Sequence, residues 1–180
     1  MTRPGGRSAR IQKAVHAATR ELLVELPRAE VSIPRIAERA EVDPTTIYRR
    51  WGPLAQLLSD VAADRIRENP PAASTGSLEG DLVAWGEQYA EELSSGPGRS
   101  YIADVLAGDE TGRNTSRCSQ HAAESVDIIL ERFPERISPT SEQVLERLVA
   151  PLIYRMLFDA ERSVAGYPAQ LVAGLMADAG

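Results

Sequence analysis

Ser32-Ile-Pro-Arg-Ile-Ala-Glu-Arg-Ala-Glu-Val-Asp-Pro-Thr-Thr-Ile-Tyr-Arg-Arg-Trp51 reads as two short helices joined by a tight turn. Ser32 is an N-cap residue type for a first helix that runs through Ala40. Asp43 is a second one, followed by Pro44 in the first helical turn, where a missing N–H does no harm. Ile36, Ala37 and Ala40, with Val42 and Ile47 beyond the turn, are small or apolar where the two helices must approach closely. The second helix, Thr45 to about Arg50, leaves Thr45, Thr46, Tyr48, Arg49 and Arg50 exposed. Hydroxyls and a phenol suit phosphate oxygens, and an Arg can contact a guanine edge with two N–H groups. The helix start at Asp43–Thr46 also offers unpaired backbone N–H groups to a phosphate. Two helices in this arrangement lay the second one in the major groove of DNA.

Working outward, apolar residues recur at helical spacing, and runs with strict alternation are missing, so the chain reads as all-α. Residues 10–26 place Ile11, Ala14, Ala18, Leu22 and Leu26 on one face of a helix that Pro27 ends. Gly52-Pro53 breaks the chain before a fourth helix, 53–68, with Leu54, Leu57, Leu58, Val61 and Ile66 as its buried stripe. Asn69–Ser77, rich in Pro, Ser and Gly, is a connector. Beyond it, Leu78, Leu82, Trp85, Tyr89 and Leu93 mark another amphipathic helix, ended by Ser94-Ser-Gly-Pro-Gly98. Further helices are predicted at about 99–107, 113–133, 141–158 and 168–178. In the 141–158 helix, Val144, Leu148, Leu152 and Met156 form one row and Leu145, Val149, Ile153 and Leu157 the next. A stripe this wide belongs either to a helix central to its own domain or to one shared with a second subunit. Pro151 removes one backbone donor within it and predicts a bend.

The net charge of −6 on 180 residues is divided unevenly. Residues 1–52 hold 10 basic and 6 acidic residues (+4), and residues 53–180 hold 10 basic and 20 acidic (−10). A basic head on an acidic body keeps an electrostatic footprint for DNA while the rest of the surface is repelled by phosphate. Arg3, Arg7 and Arg10 read either as an arm along the DNA backbone or minor groove, or as a solvated tail. The lone cysteine, Cys118, excludes an intramolecular disulfide and a CxxC zinc site. No apolar run approaches the roughly 20 residues of a membrane span, and no apolar h-region follows the basic amino terminus. These features place the protein in the cytoplasm, with no membrane partner.

The 32–51 stretch resembles the signature of the TetR family of transcriptional regulators: a Ser/Thr cap, then "Ile-Ala…Ala-x-Val", then "Thr-[Leu/Ile]-Tyr-x-x-[Phe/Trp]". With the first and fourth helices, the resemblance covers the amino-terminal domain, and Ala150-Pro-Leu-Ile-Tyr-Arg-Met-Leu157 is similar to a carboxy-terminal helix of some family members. It implies a three-helix helix-turn-helix DNA-binding domain (1–52), joined by a long helix to a helical ligand-binding and dimerisation domain (53–180). Carried over by residue, Ser32, Thr46 and Tyr48 match phosphate-touching positions. Thr45, Arg49 and Pro44 match positions facing bases or their flanks, and Trp51 matches the aromatic anchor of the recognition helix. Arg35 and Arg50 complete the candidate DNA-contacting set. Two positions depart from the pattern. The turn glycine is Glu41, and the Lys that usually opens the fourth helix is Leu54, which predicts one phosphate contact fewer.

The resemblance further implies a homodimer on a palindromic operator, acting as a repressor that an unknown small-molecule effector releases. Trp85, Tyr89, Tyr101, Cys118, His121, Ala122, Ser125 and Tyr154 are the candidate ligand-lining residues. Leu145, Leu148, Val149, Leu152, Met156, Leu171 and Leu175 are the candidate dimer interface. Cys118, His121 and Glu124 resemble metal ligands in type, but offsets of three drift about 60° per step around a helix, so no metal is expected. No nucleophile elbow or phosphate-cradling glycine loop is present, and His16 and His121 are the only imidazoles, so neither an enzyme nor a cofactor is expected. The competing reading is a ligand-binding or protein-interaction helical module whose DNA-binding head has degenerated at Glu41 and Leu54.

Overall fold

The computed structural model describes residues 6–67, 74–134, 139–159 and 161–179, in which all regular structure is helical. Helix α1 (Arg7–Glu25) buries Val15, His16, Ala18, Thr19 and Leu22, and leaves the helix at an extended Leu26 before Pro27. A single 3₁₀ turn, Arg28–Glu30, leads into α2 (Ile33–Arg39). Ser32 precedes α2 in an extended conformation but makes no side-chain cap. Helix α3 (Pro44–Trp51) is capped by Asp43, whose carboxylate accepts the Thr45 N–H at 2.8 Å. Gly52, at φ +79°, ends α3, and α4 (Leu54–Arg67) follows.

Between α2 and α3 the chain must turn within four residues, Ala40 to Asp43. Glu41 does this at φ +53°, the one non-glycine residue with positive φ among those described. The Val42 N–H then reaches back to the Ala37 carbonyl at 3.0 Å, closing the turn. The glycine conformation is therefore kept without the glycine, at a cost of about 1–2 kcal/mol.

The body begins at α5 (Leu78–Ser94), capped by Ser77, and continues into α6 (Gly96–Gly108). The break predicted over Ser94–Gly98 shrinks to Ser95, because its hydroxyl accepts the Gly98 N–H and Pro97 fits the first turn. Helix α7 spans Arg113–Leu130, three residues short of the expected end. The helix expected at 141–158 runs as α8 (Ser141–Val144), a π turn (Leu145–Val149) and α9 (Ala150–Phe158). Pro151 explains the π turn: lacking an N–H, it cannot continue the ladder, and the Ala150 N–H slips to the Leu145 carbonyl. Helix α10 (Tyr167–Ala179) closes the fold.

Two cores result. The first joins Val15, Leu22, Ile36, Ile47 and Trp51 with Leu57 and Val61 of α4. The second joins α5, α7 and α8–α10 around Leu82, Trp85, Val126, Leu148, Leu152 and Leu175. Between them, α4 meets α6 where a Cβ on Gly108 would lie 2.0 Å from the Ala55 carbonyl oxygen, so only glycine fits. The side chain of Ile66 and residues 69–73 of the connector lie outside the described residues.

Relieving the Glu41 strain gives a test of the turn. Glu41→Gly removes about 1–2 kcal/mol of left-handed strain and adds about 0.5–1 kcal/mol of backbone entropy cost. A net gain of about 0.5–1 kcal/mol, a rise of about 2 °C in a thermal melt, is expected. A lower melting temperature would show that the Glu41 side chain itself stabilises the turn.

Candidate nucleic-acid interface and ligand cavity

The apolar residues of α3 that make the head fold, Ile47 and Trp51, are buried, and the rest of the helix faces solvent. Tyr48 is 52% exposed, and Arg49 is exposed with no ion pair or hydrogen bond among the described residues. A phenol and a guanidinium held out on a short rigid helix suit DNA contact. Thr46 is half-buried, Pro44 is exposed, and Ser32, free of any capping bond, is half-buried at the start of α2. Thr45 is exposed, and its hydroxyl donates to Asp43, which turns that hydroxyl toward the cap. Those hydrogen bonds also hold the Asp43 carboxyl below its ordinary value. Arg35 is exposed and pairs loosely with Glu30 at 3.4 Å.

Arg50 departs from expectation. Its guanidinium donates to the Ser8 carbonyl at 2.8 Å, the Ser8 hydroxyl at 2.9 Å and the Gln12 side chain, and stacks 4.9 Å from the Trp51 ring. It clamps α3 to the start of α1 instead of reaching outward. Leu54 likewise has a packing role, half-buried against the first core. Arg7 and Arg10 are exposed on the first turns of α1, while Arg3 lies outside the described residues.

The junction between head and body is polar and was not foreseen from the sequence. His16 of α1, 2% exposed, sets one ring nitrogen 3.0 Å from Asp60 and the other 3.3 Å from Asp64, both on α4. The Trp51 indole N–H donates to Asp60 at 2.7 Å. From the body, Arg117 of α7 donates to the other Asp60 oxygen at 2.6 Å and to Asp64 at 3.4 Å. Asn114 extends the network to Ser59 at 2.8 Å, whose hydroxyl donates to the Val105 carbonyl of α6 at 3.1 Å. A second tie joins Arg28, after α1, to the buried Asp104 of α6. Burial alone would raise the Asp60 pKa, but the bonds from His16, Trp51 and Arg117 outweigh it and hold the carboxyl well below its ordinary 3.8.

In the body a cavity of about 340 Å³ opens between α5, α6, α7 and the π turn with α9. Its walls are Tyr89, Leu93, Ile102, Val105 and Leu106 on one side and Thr115, Cys118, Ser119 and Ala122 of α7 on another. Leu145, Val149, Ala150, Ile153 and Leu157 close it. Of the residues expected to line it, Tyr89, Cys118 and Ala122 do so. Trp85 is instead a core residue whose ring lies 5.4 Å from that of Tyr89, and Tyr101 packs near Ala62, Ala63 and Val105. His121 turns to Glu124 at 3.2 Å, Ser125 is off the wall, and Tyr154 is 65% exposed. The aliphatic walls were missed because Leu, Ile and Val at helical spacing look the same whether they pack on a neighbour or line a void.

Most of the expected dimer row is spent within the subunit. Leu148, Val149, Leu152, Met156 and Leu175 are buried within the subunit, with Leu145 and Leu171 packed against them. The wide stripe of residues 144–157 is broad because this segment is central to its own domain and also walls the cavity. The apolar side chains of α9 that face outward are Tyr154 and Phe158, their tilted rings 5.3 Å apart, with Leu157 partly exposed.

A helix-turn-helix head tied through one long helix to a helical body with its own cavity defines a helix-turn-helix transcriptional regulator. Residues 72–175 match the family model described as tetracyclin repressor-like, C-terminal domain. The chain is 25% identical over 168 residues to YdeS, an uncharacterized HTH-type transcriptional regulator of Bacillus subtilis, covering 89% of this chain and 85% of that protein. To the HTH-type transcriptional regulator AqdR of Rhodococcus erythropolis it is 28% identical over 143 residues, 78% of this chain and 62% of that one. Among solved structures it is similar to the TetR family repressor AlkX of Dietzia sp., with TM-score 0.59, 17% identity, and 93% and 94% of the two chains covered. A TetR-family regulator of Streptomyces coelicolor gives TM-score 0.54 at 20% identity, covering 94% and 99%. The chain belongs to the TetR family, whose members are DNA-binding transcriptional regulators and not enzymes. Among the described residues no helix is long and apolar enough to cross a membrane.

The junction carries a pH prediction. A carboxyl whose folded pKa is depressed contributes stability above its unfolded pKa and loses it as pH falls through the folded value. Asp81 behaves like Asp60: burial would raise it, but Thr75, Arg132 and Ser74 bring it down to about 2. Unfolding free energy is therefore expected to be flat above about pH 5 and to fall as pH drops from about 4 toward 2. Asp60→Asn should cost about 1–3 kcal/mol at neutral pH and flatten the acid limb in denaturant titrations. An unchanged acid limb would remove Asp60 from the account.

Proposed function

We propose that the protein is a repressor that binds a palindromic operator as a homodimer and releases it when a small molecule fills the cavity. The observation that carries this reading is the double use of α7. Thr115, Cys118, Ser119 and Ala122 wall the cavity, while Asn114 and Arg117 of the same helix hold Ser59 and Asp60 of α4. Asp60 in turn accepts from Trp51, the last residue of the recognition helix. A ligand that displaces α7 changes what holds the head. It needs about 10⁴-fold higher affinity for the non-binding arrangement to move the population from 1:99 to 99:1.

In DNA, Tyr48, Thr46 and Ser32 bond to phosphates, and Arg49 reads a base edge. Two heads related by a two-fold axis meet half-sites about one helical turn apart. Against the degenerate-head alternative stand the Glu41 backbone, which keeps the turn conformation at φ +53°, and the exposed Tyr48 and Arg49; Leu54 packs half-buried against the head core and still leaves one phosphate contact fewer. The second copy sits on the outer face of α9 and α10, where Tyr154 and Phe158 meet the exposed small residues Ala173, Gly174 and Ala177.

Selection of random duplexes by the purified protein, sequenced at two salt concentrations, is expected to enrich one palindrome with affinity falling steeply as salt rises. Weak binding without an enriched site would overturn the repressor reading. With that site in hand, Arg49→Ala should cost about 1–3 kcal/mol and relax preference at one half-site position, while Tyr48→Phe weakens all sequences alike. Unchanged preference in the Arg49 variant would remove it from base reading.

Dimerisation is tested by Phe158→Glu, which sedimentation should show as a monomer with unchanged helix content. Leu152→Glu, by contrast, should unfold the body, since it places a charge in the core. A dimer that survives both Phe158→Glu and Tyr154→Glu would place the interface elsewhere.

A further inference from the structure

The chemistry of the cavity wall, and in particular what it lacks, narrows its ligand. The inference rests on the reading of this cavity as the effector site. Among the described residues, no Asp, Glu, Lys, Arg or His lines it. A carboxylate or ammonium seated deep against these walls would lose hydration with no charged wall residue to pair with, which weakens its binding relative to a neutral group. The polar groups near the wall are mostly committed elsewhere. Thr115 donates its hydroxyl to Asp109 at 2.8 Å, and Asp109 also accepts the Thr115 N–H, which leaves that carboxylate engaged at the start of α7. Burial pushes the Cys118 thiol up and the Tyr89 phenol far up, so both stay protonated and neutral. Tyr89 is different from Thr115 in one respect: its hydroxyl has no hydrogen-bond partner among the described residues. Ser119 is exposed, so it lies where the wall meets solvent.

We propose that the cavity takes a neutral, hydrocarbon-rich small molecule bearing a single uncharged hydrogen-bonding group, such as a hydroxyl, ester or ketone, which meets the Tyr89 hydroxyl. The volume of about 340 Å³ lies at the small end of the range of about 300–1,000 Å³ for ligand pockets, which suits a small, chain-like ligand. The apolar body of the ligand lies against Val105, Leu145, Val149 and Ile153, where its burial supplies the affinity.

The test compares decanol with decanoate and decylammonium of the same chain length on the full-length protein. Binding is read by thermal melting and by the fluorescence of Trp85, whose ring lies beside Tyr89. Decanol is expected to raise the melting temperature saturably by several degrees, with affinity growing along the series hexanol, octanol, decanol. The two ions are expected to bind at least about tenfold more weakly. Tyr89→Phe should lower decanol affinity about five- to tenfold while the protein melts normally, and Ala122→Trp, which fills the void, should abolish binding. Equal binding of decanoate or decylammonium overturns the neutral-ligand inference and leaves the effector reading intact. Absence of a saturable shift with every alcohol also overturns it. Decanol that binds without weakening the selected operator overturns the effector reading instead, and the ligand class stands.

Discussion

Asp60 is one carboxylate shared by donors from three other helices. His16 comes from α1, Trp51 from α3 and Arg117 from α7, and Asp60 itself stands on α4. A carboxylate has acceptor sites enough for this, and at the edge of a protein interior each charged bond is stronger than in water. Because donors from the head (His16, Trp51) and the body (Arg117) meet on the same carboxylate, Asp60 ties the two together. Gly108 adds a steric condition, because α6 and α4 approach backbone to backbone at that point. The Arg28–Asp104 pair supplies a second tie away from the first.

Much of the head was legible in the sequence, because capping and turn chemistry are local. Asp43, Pro44 and Gly52 fix the ends of α3 whatever surrounds them, and Pro27 and Pro53 punctuate the chain on either side. The acidic body and basic head follow from composition alone. The side-chain assignments fared less evenly. Tyr48 and Arg49 are exposed as a DNA-reading helix requires, but Arg50 is spent on Ser8 and Gln12, a contact 42 residues apart in sequence. Nothing in the local pattern distinguishes an Arg facing DNA from one folded back onto α1.

The body was harder to read for the same reason. His16 and Asp60 are 44 residues apart, and each alone looks like an ordinary polar residue on an amphipathic helix. The two apolar rows of 144–157 predicted burial correctly, but burial against what depends on tertiary packing. Leu148 and Leu152 turned inward to the core, Val149 and Ile153 to the cavity wall, and the outward face fell to Tyr154 and Phe158. Pro151 did predict a disturbance in that helix, and it takes the form of a π turn that brings Leu145 and Val149 to the cavity.

Helix α7 is a wall of the cavity and a holder of the head at once, and on the proposed reading occupancy of one site is linked to occupancy of the other. Linkage is reciprocal for binding free energies. The most direct measurement is the affinity of the protein for decanol, free and when saturated with the selected operator duplex. The account predicts weaker decanol binding on DNA, by the same factor by which decanol weakens operator binding. Equal decanol affinities in the two states would contradict it.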